Sequence, residues 1–217
     1  MNLETSKNLG GIGAILLFIG VIPFLQYLWV IGIVGIILVL VALHGLAKFY
    51  SDSNIFNNAI YGIIAGVVGA IVAAAVAIFS VLTQMVPFLQ TIYPDWNGTD
   101  WTALQGMTPD TSNLDPADLF PLLAGILLVF VVIWIFAIIS AFFVRRSLKT
   151  LSVRSGVGLF GTAGLLLLIG AVLVVIFGLG LFIMWIAALI LAIAFFTLKR
   201  PEPETTQTTY TPPPTSV

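Results

Sequence analysis

Apolar residues fall along this chain in continuous runs rather than at the spacing of a half-buried helix or strand. Six stretches, 9–25, 28–47, 59–86, 119–144, 157–177 and 179–198, contain no Asp, Glu, Lys or Arg. An α-helix needs about 20 such residues to cross bilayer hydrocarbon, so each run predicts one span. Pro23, Gln26 and Tyr27 part the first two runs, and only Gly178 and Gly180 part the last two. These pairs are therefore expected as tight helical hairpins. The fold class is all-α, a polytopic transmembrane helical bundle of about six spans.

Composition removes the alternative. The 217 residues are 60% hydrophobic and 8% charged, with a mean hydropathy of +1.16, against roughly 25% charged in soluble domains. A water-soluble fold is excluded. The net charge of -1 becomes informative once it is sorted by position. Lys7, Lys48, Arg145, Arg146, Lys149, Arg154, Lys199 and Arg200 all lie in one alternating set of connections. Segment 87–118 carries Asp95, Asp100, Asp110, Asp115 and Asp118 and no basic residue. Basic bias in short loops marks the cytoplasmic side, so both termini are expected inside and 87–118 outside. The first run is expected to be retained as a span, because no small-residue cleavage site follows it.

The organisation is read as a membrane domain over 1–200 and a Pro- and Thr-rich tail over 201–217. The tail has little to bury and is expected to be disordered and cytoplasmic. The segment beginning Gly11-Ile12-Gly13-Ala14 and ending at Gly20 is echoed by the one from Gly161 to Gly170, which suggests that the two hairpins are a parallel repeat. Span three carries Gly62, Gly66, Ala70 and Ala74 at four-residue steps, with Gly69, Ala73 and Ala77 beside them. Small residues let helix backbones approach in lipid. Packing within the chain is the expected use of this stripe, and an interface with a second copy or another membrane protein is the alternative. The outer segment is expected to be largely irregular, with Asp115 capping span four, Pro116 at its first position, and Trp29, Trp96 and Trp101 at headgroup level.

Candidate chemistry is sparse. The absence of cysteine removes thiol nucleophiles, thiolate metal sites and disulfides. No buried charge is available to couple transport to protons or sodium. His44, the one histidine, stands near the basic face without a carboxylate neighbour in sequence and is read as interfacial. Ser80, Thr83 and Gln84 near the outer end of span three, and Ser140 in span four, could line a polar path, although such groups more often bond backbone carbonyls. The five outer aspartates lack calcium-loop spacing, and Asn97-Gly98-Thr99 is a glycosylation acceptor pattern. Arg145, Arg146, Lys149 and Arg154 are read as topology determinants that can also meet anionic lipid. No catalytic, cofactor-binding or metal-binding residue is assigned. The expected partner is the lipid bilayer, and no nucleic acid.

Leu9-Gly10-Gly11-Ile12-Gly13, the segments Leu43-His44-Gly45-Leu46-Ala47-Lys48-Phe49-Tyr50 and Ile55-Phe56-Asn57-Asn58-Ala59-Ile60-Tyr61-Gly62, and Gly158-Leu159-Phe160-Gly161-Thr162-Ala163-Gly164 together resemble the domain-of-unknown-function 996 family, prokaryotic multi-pass membrane proteins, many of them archaeal. The resemblance implies a similar bundle in the cell membrane and brings no activity. The function expected is a non-enzymatic scaffold or accessory component of the membrane, with a channel or facilitator for a small neutral solute as the alternative.

The topology has a direct test. Single cysteines at Asn97, Ser152 and Ser216 in this cysteine-free chain, probed in intact cells with an impermeant thiol reagent, are expected to label at position 97 alone. Labelling at 152 instead would invert the orientation, and labelling at both would overturn the span count.

Overall fold

Backbone amides in hydrocarbon have no water to bond, which leaves the helix as the structure that satisfies them within one segment. The computed structural model describes residues 2–20, 29–112, 114–176 and 178–199, and no strand occurs among them. The helices are α1 (Leu3–Gly20), α2 (Trp29–Phe49), α3 (Asn54–Ser80), α4 (Val86–Ile92), α5 (Leu119–Ser155), α6 (Gly158–Leu173) and α7 (Leu179–Thr197). A π-helical turn at Val81–Met85 joins α3 to α4 in one rod. By length and composition α2, the α3–α4 rod, α5 and α7 can each cross a membrane, whereas α6 is apolar but shorter at 16 residues. The chain is a helical membrane protein. The first turn at Pro23, Gln26 and Tyr27, the Trp29 side chain and the tail from 201 lie outside the described residues.

Two sequence expectations shift at the acidic end. The loop does not begin at Pro87, because the helix continues through that proline to Ile92. Proline at position 87 removes the N–H that would bond Thr83 O and crowds that carbonyl, and the turn immediately before it widens into the π form. Kinks and π turns of this kind have identifiable causes of this sort. The loop that follows is largely irregular, as expected, with one 3-10 turn at Ala103–Gly106, but the place of Trp96 in it differs. Trp96 is buried in it, donates from Nε1 to Asp100 O and meets Trp101 edge to face. It thus organises the loop instead of reaching into lipid headgroups, while Trp101 stays exposed. The expected helix start is present: Asp115 accepts from Ala117 N, and Asp118 accepts from Asp115 N in a reciprocal cap.

The rods form a closed ring in the order α1, α2, α3, α5, α6, α7 and back to α1. Glycine sets the closest approaches. A Cβ at Gly13 would stand 2.8 Å from Gly35 O, and one at Gly35 would stand 2.7 Å from Gly13 O. Gly20 and Gly170 occupy the same place in the two echoed segments, and each faces a glycine of the returning helix, Gly32 and Gly180 respectively. Where α3 meets α5, the small residues of this stretch that become buried are Gly62, Gly69 and Ala73. This is a heptad-like seam, not the four-residue stripe, and Gly66, Ala70 and Ala74 are exposed beside it. Since 3.6 residues make a turn, a strict four-residue step drifts around the helix and leaves the seam.

The best-packed part of the ring lies at its basic end. Leu46, Ile55, Leu148, Leu151, Phe160, Phe195 and Leu198 are fully buried there. Ser147 Oγ donates to Ile55 O, and Arg154 Nε reaches Asp52 Oδ2 at 2.9 Å. The Arg154 hydrogen bond, followed by the Asn54 N–H, holds the Asp52 carboxyl below its ordinary range. Lys7 Nζ donates to Leu198 O at 3.0 Å, tying α1 to the end of α7.

Close approach at the α3–α5 seam predicts position-specific sensitivity. Gly69→Leu collides with the Phe136 Cβ and ring and is expected to lower stability by about 3 kcal/mol. At Gly66 a Cβ meets only Ser140 Oγ, at 3.7 Å, so Gly66→Ala is expected to be neutral or to stabilise by about 0.5 kcal/mol. Thermal melts in detergent check both, and an equal loss at the two positions would refute the seam.

Candidate functional site

Ser80 and Gln84, two of the polar residues singled out above, stand four residues apart at the π turn and share one side of the α3–α4 rod. They line a pocket of about 390 Å³ whose other walls include Ala77, Leu122, Gly125 and Ile126. Gly125 makes this approach feasible, because a Cβ there would run into the Gln84 amide and stand 3.1 Å from Ser80 Cβ. Ser80 Oγ and Gln84 Oε1 are both shielded from solvent and have no hydrogen-bond partner among the described residues. Such groups cost about 1–3 kcal/mol each when left unpaired in an apolar setting. Helical hydroxyls elsewhere avoid that cost: Thr91, Thr150, Ser155 and Thr197 each donate to the carbonyl four residues back.

The pocket lies between α3 and α5, next to a groove of about 530 Å³ lined in part by Gly66, Ala70 and Ala74. Its surroundings are strongly apolar, with Phe79, Leu82, Leu123 and Ile126 all more than half exposed. No titratable side chain lines it. The arrangement can accept a hydrogen bond at Gln84 Oε1 and donate or accept one at Ser80 Oγ. It offers hydrogen-bonding groups in apolar surroundings and no nucleophile with its base.

The other sequence candidates scatter. Thr83 points away from the pocket and donates to Phe79 O. Ser140 lies along the neighbouring groove, beneath Gly66. His44 is exposed and packs edge to face on Phe56 at 4.6 Å, at the far end of the rod. Arg154 is committed to Asp52 and Arg146 lies over the Phe142 ring, while Asp100 and Asp110 accept from Thr102 and Ser112, which lowers both carboxyl pKa values. Asn97 Oδ1 is engaged by Thr99 and Asp100. Among the described residues no group of three His, Asp or Glu side chains converges as metal ligands would.

Three residues with clear structural work were not anticipated. Trp185 Nε1 donates to Phe18 O at 3.0 Å, and its ring stacks on Phe18 at 4.4 Å. Trp134 Nε1 donates to Ala171 O and Val172 O. Each indole supplies a donor to carbonyls in the last turn of a neighbouring helix, where backbone donors run short. Asp52 is the third. The only signal for the tryptophans was an indole inside an apolar run, since a buried indole N–H needs an acceptor.

Comparison with known proteins adds a family but no activity. The family model described as Protein of unknown function (DUF996) matches residues 31–189. The uncharacterized protein MJ1644 of Methanocaldococcus jannaschii is 27% identical over 203 residues, covering 91% of this chain and 94% of that protein. No solved structure matches.

The unpaired atoms make a sign-specific prediction. Ser80→Ala and Gln84→Met, measured separately in lipid-free detergent micelles, are expected to raise stability by about 1 kcal/mol each, since an unsatisfied buried polar group is replaced by an apolar one. A loss of that size would show that both groups are already paired within the folded chain.

Proposed function

The chain belongs to the DUF996 family, and on that premise we propose that it is a non-enzymatic accessory protein of the cell membrane that holds another membrane component laterally against α3 and α5. The observation that carries this reading is the Ser80–Gln84 pair, shielded and unpaired in a pocket between α3 and α5. A partner helix that offers a hydroxyl or amide would satisfy both groups, and the exposed small residues Gly66, Ala70 and Ala74 would let its backbone approach.

The proposal includes six spans with both termini in the cytoplasm. Support for the count comes from the ring, in which α1 and α6 each pack between two neighbours and thus share their slab. At 1.5 Å per residue a 16-residue helix such as α6 measures about 24 Å, and the apolar turn after it extends that reach. Orientation rests on the placement of all eight Lys and Arg.

A solute facilitator, the alternative, would need a continuous polar path. Of the polar residues that suggested one, Ser80 and Gln84 share a pocket whose other walls are apolar and Thr83 donates to Phe79 O, and the basic end of the ring is filled by Phe160, Phe195 and Leu151. The accessory reading is therefore preferred. Its test is a photo-crosslinking amino acid in place of Leu122 or Ile126 in native membranes. The expected product is a discrete protein adduct that Gln84→Met diminishes; lipid adducts alone, or a protein adduct indifferent to Gln84, would overturn the reading.

A further inference from the structure

A second site lies at the other end of the bundle, independent of the α3–α5 pocket. Around the ring, α2 and α3 share the sparsest interface, and Ile37 and Val41 on α2 remain 52% and 41% exposed. Two adjoining cavities result, with His44 and Phe56 common to both. The one at the basic end, about 410 Å³, is edged by Lys48, Ser51, Ser53 and Asn57. The deeper one, about 350 Å³, is walled by Ile37, Leu40, Val41 and Ile60. From Lys48 to Ile37 the helix descends about 16 Å, so polar lining gives way to apolar lining along the membrane normal.

The polar half is unspent. Arg154 takes the Asp52 carboxylate, whose other oxygen accepts from Asn54 N. Among the described residues Lys48 makes no ion pair, and the Ser51, Ser53 and Asn57 side chains make no hydrogen bond. In contrast, Lys7 bonds Leu198 O. The lining is thus a positive charge with hydroxyl and amide donors, set above a hydrocarbon-lined groove. That combination matches one chemistry, a phosphate diester carrying an acyl or alkyl chain: basic pockets between spans on the membrane's basic side hold anionic headgroups, and amphiphile tails fill apolar clefts.

We propose that the α2–α3 groove binds one anionic phospholipid of the adjacent leaflet, its phosphate at Lys48, Ser51, Ser53 and Asn57 and one chain between Leu40 and Ile60. His44 and Phe56 form the wall where headgroup meets chain. This proposal needs only that the chain lies in a bilayer with its basic end at a surface, so it stands or falls apart from the partner pocket.

The test uses the full chain in mild detergent with phosphatidylglycerol or phosphatidylcholine added, and native mass spectrometry to count retained lipid. One phosphatidylglycerol is expected per chain, in preference to phosphatidylcholine. Lys48→Gln is expected to weaken its retention about fivefold, which corresponds to about 1 kcal/mol for one lysine at an anionic headgroup. Lys149→Gln, the same charge lost from an exposed position on α5 outside the groove, is expected to weaken retention clearly less than Lys48→Gln. Ile60→Trp fills the apolar half and is expected to lower retention comparably, with Ile37→Trp on the opposite wall as the substitute if yield falls. Millimolar inorganic phosphate is expected not to displace the lipid. Equal retention of the two lipids, equal effects of Lys48→Gln and Lys149→Gln, or indifference to both tryptophan variants would overturn the site. Displacement by phosphate alone would reduce it to a free-anion site and overturn the lipid assignment.

Discussion

A backbone carbonyl in hydrocarbon that lacks a donor has nowhere else to find one, and the ends of these helices are arranged around that constraint. Phe18 O, near the end of α1, receives the Trp185 indole; Ala171 O and Val172 O, at the end of α6, share that of Trp134. Leu198 O, beyond α7, receives Lys7 Nζ. At the end of α2 the chain solves the same problem with its own backbone. Asp52 N bonds Ala47 O and Ser51 N bonds Lys48 O, with Ser51 held at a φ of 52° to do so, the arrangement that glycine usually serves. The donors from α5, α7 and α1 each cross to another element, so satisfying the backbone also fastens the ring.

Against that background the exceptions stand out. Ser80 Oγ and Gln84 Oε1 sit where water does not reach and are not paired, and they do so beside a π turn that Pro87 imposes. π turns recur at functional sites because they break the regular ladder and re-aim side chains. Here the re-aimed pair faces a glycine on α5, which keeps the space beside it open. The groove between α2 and α3 arises differently. Glycine contacts draw α1 against α2, and the Gly62–Gly69–Ala73 seam draws α3 against α5. Two closely packed helix pairs then meet along a loose boundary, and its basic end carries Lys48.

Much of the architecture was legible in the chain. Hydropathy is a sum over local residues, so runs of apolar side chains report spans wherever they occur. Charge placement is equally local, and so is the Asp115–Asp118 cap, closed within four residues. The echoed glycines of the two hairpins also announced themselves, because antiparallel neighbours joined by a short turn must touch. By these means the sequence by itself determined the class of protein, its apolar runs, its charge asymmetry and where its hairpins lie.

Only the tertiary structure decided which faces meet. In a soluble helix the apolar stripe marks the inside, but lipid is as apolar as leucine, so these helices are hydrophobic on every side and carry no such mark. That is why Gly66, Ala70 and Ala74 looked equivalent to Gly62, Gly69 and Ala73, although only the latter set is buried. The same reason hid the pairing of Asp52 with Arg154, which are 102 positions apart, and of Trp185 with Phe18. The unpaired state of Ser80 and Gln84 was hidden as well. A polar atom's satisfaction depends on what lies within about 3 Å in space, and in a bundle held by backbone contact those neighbours come from other helices.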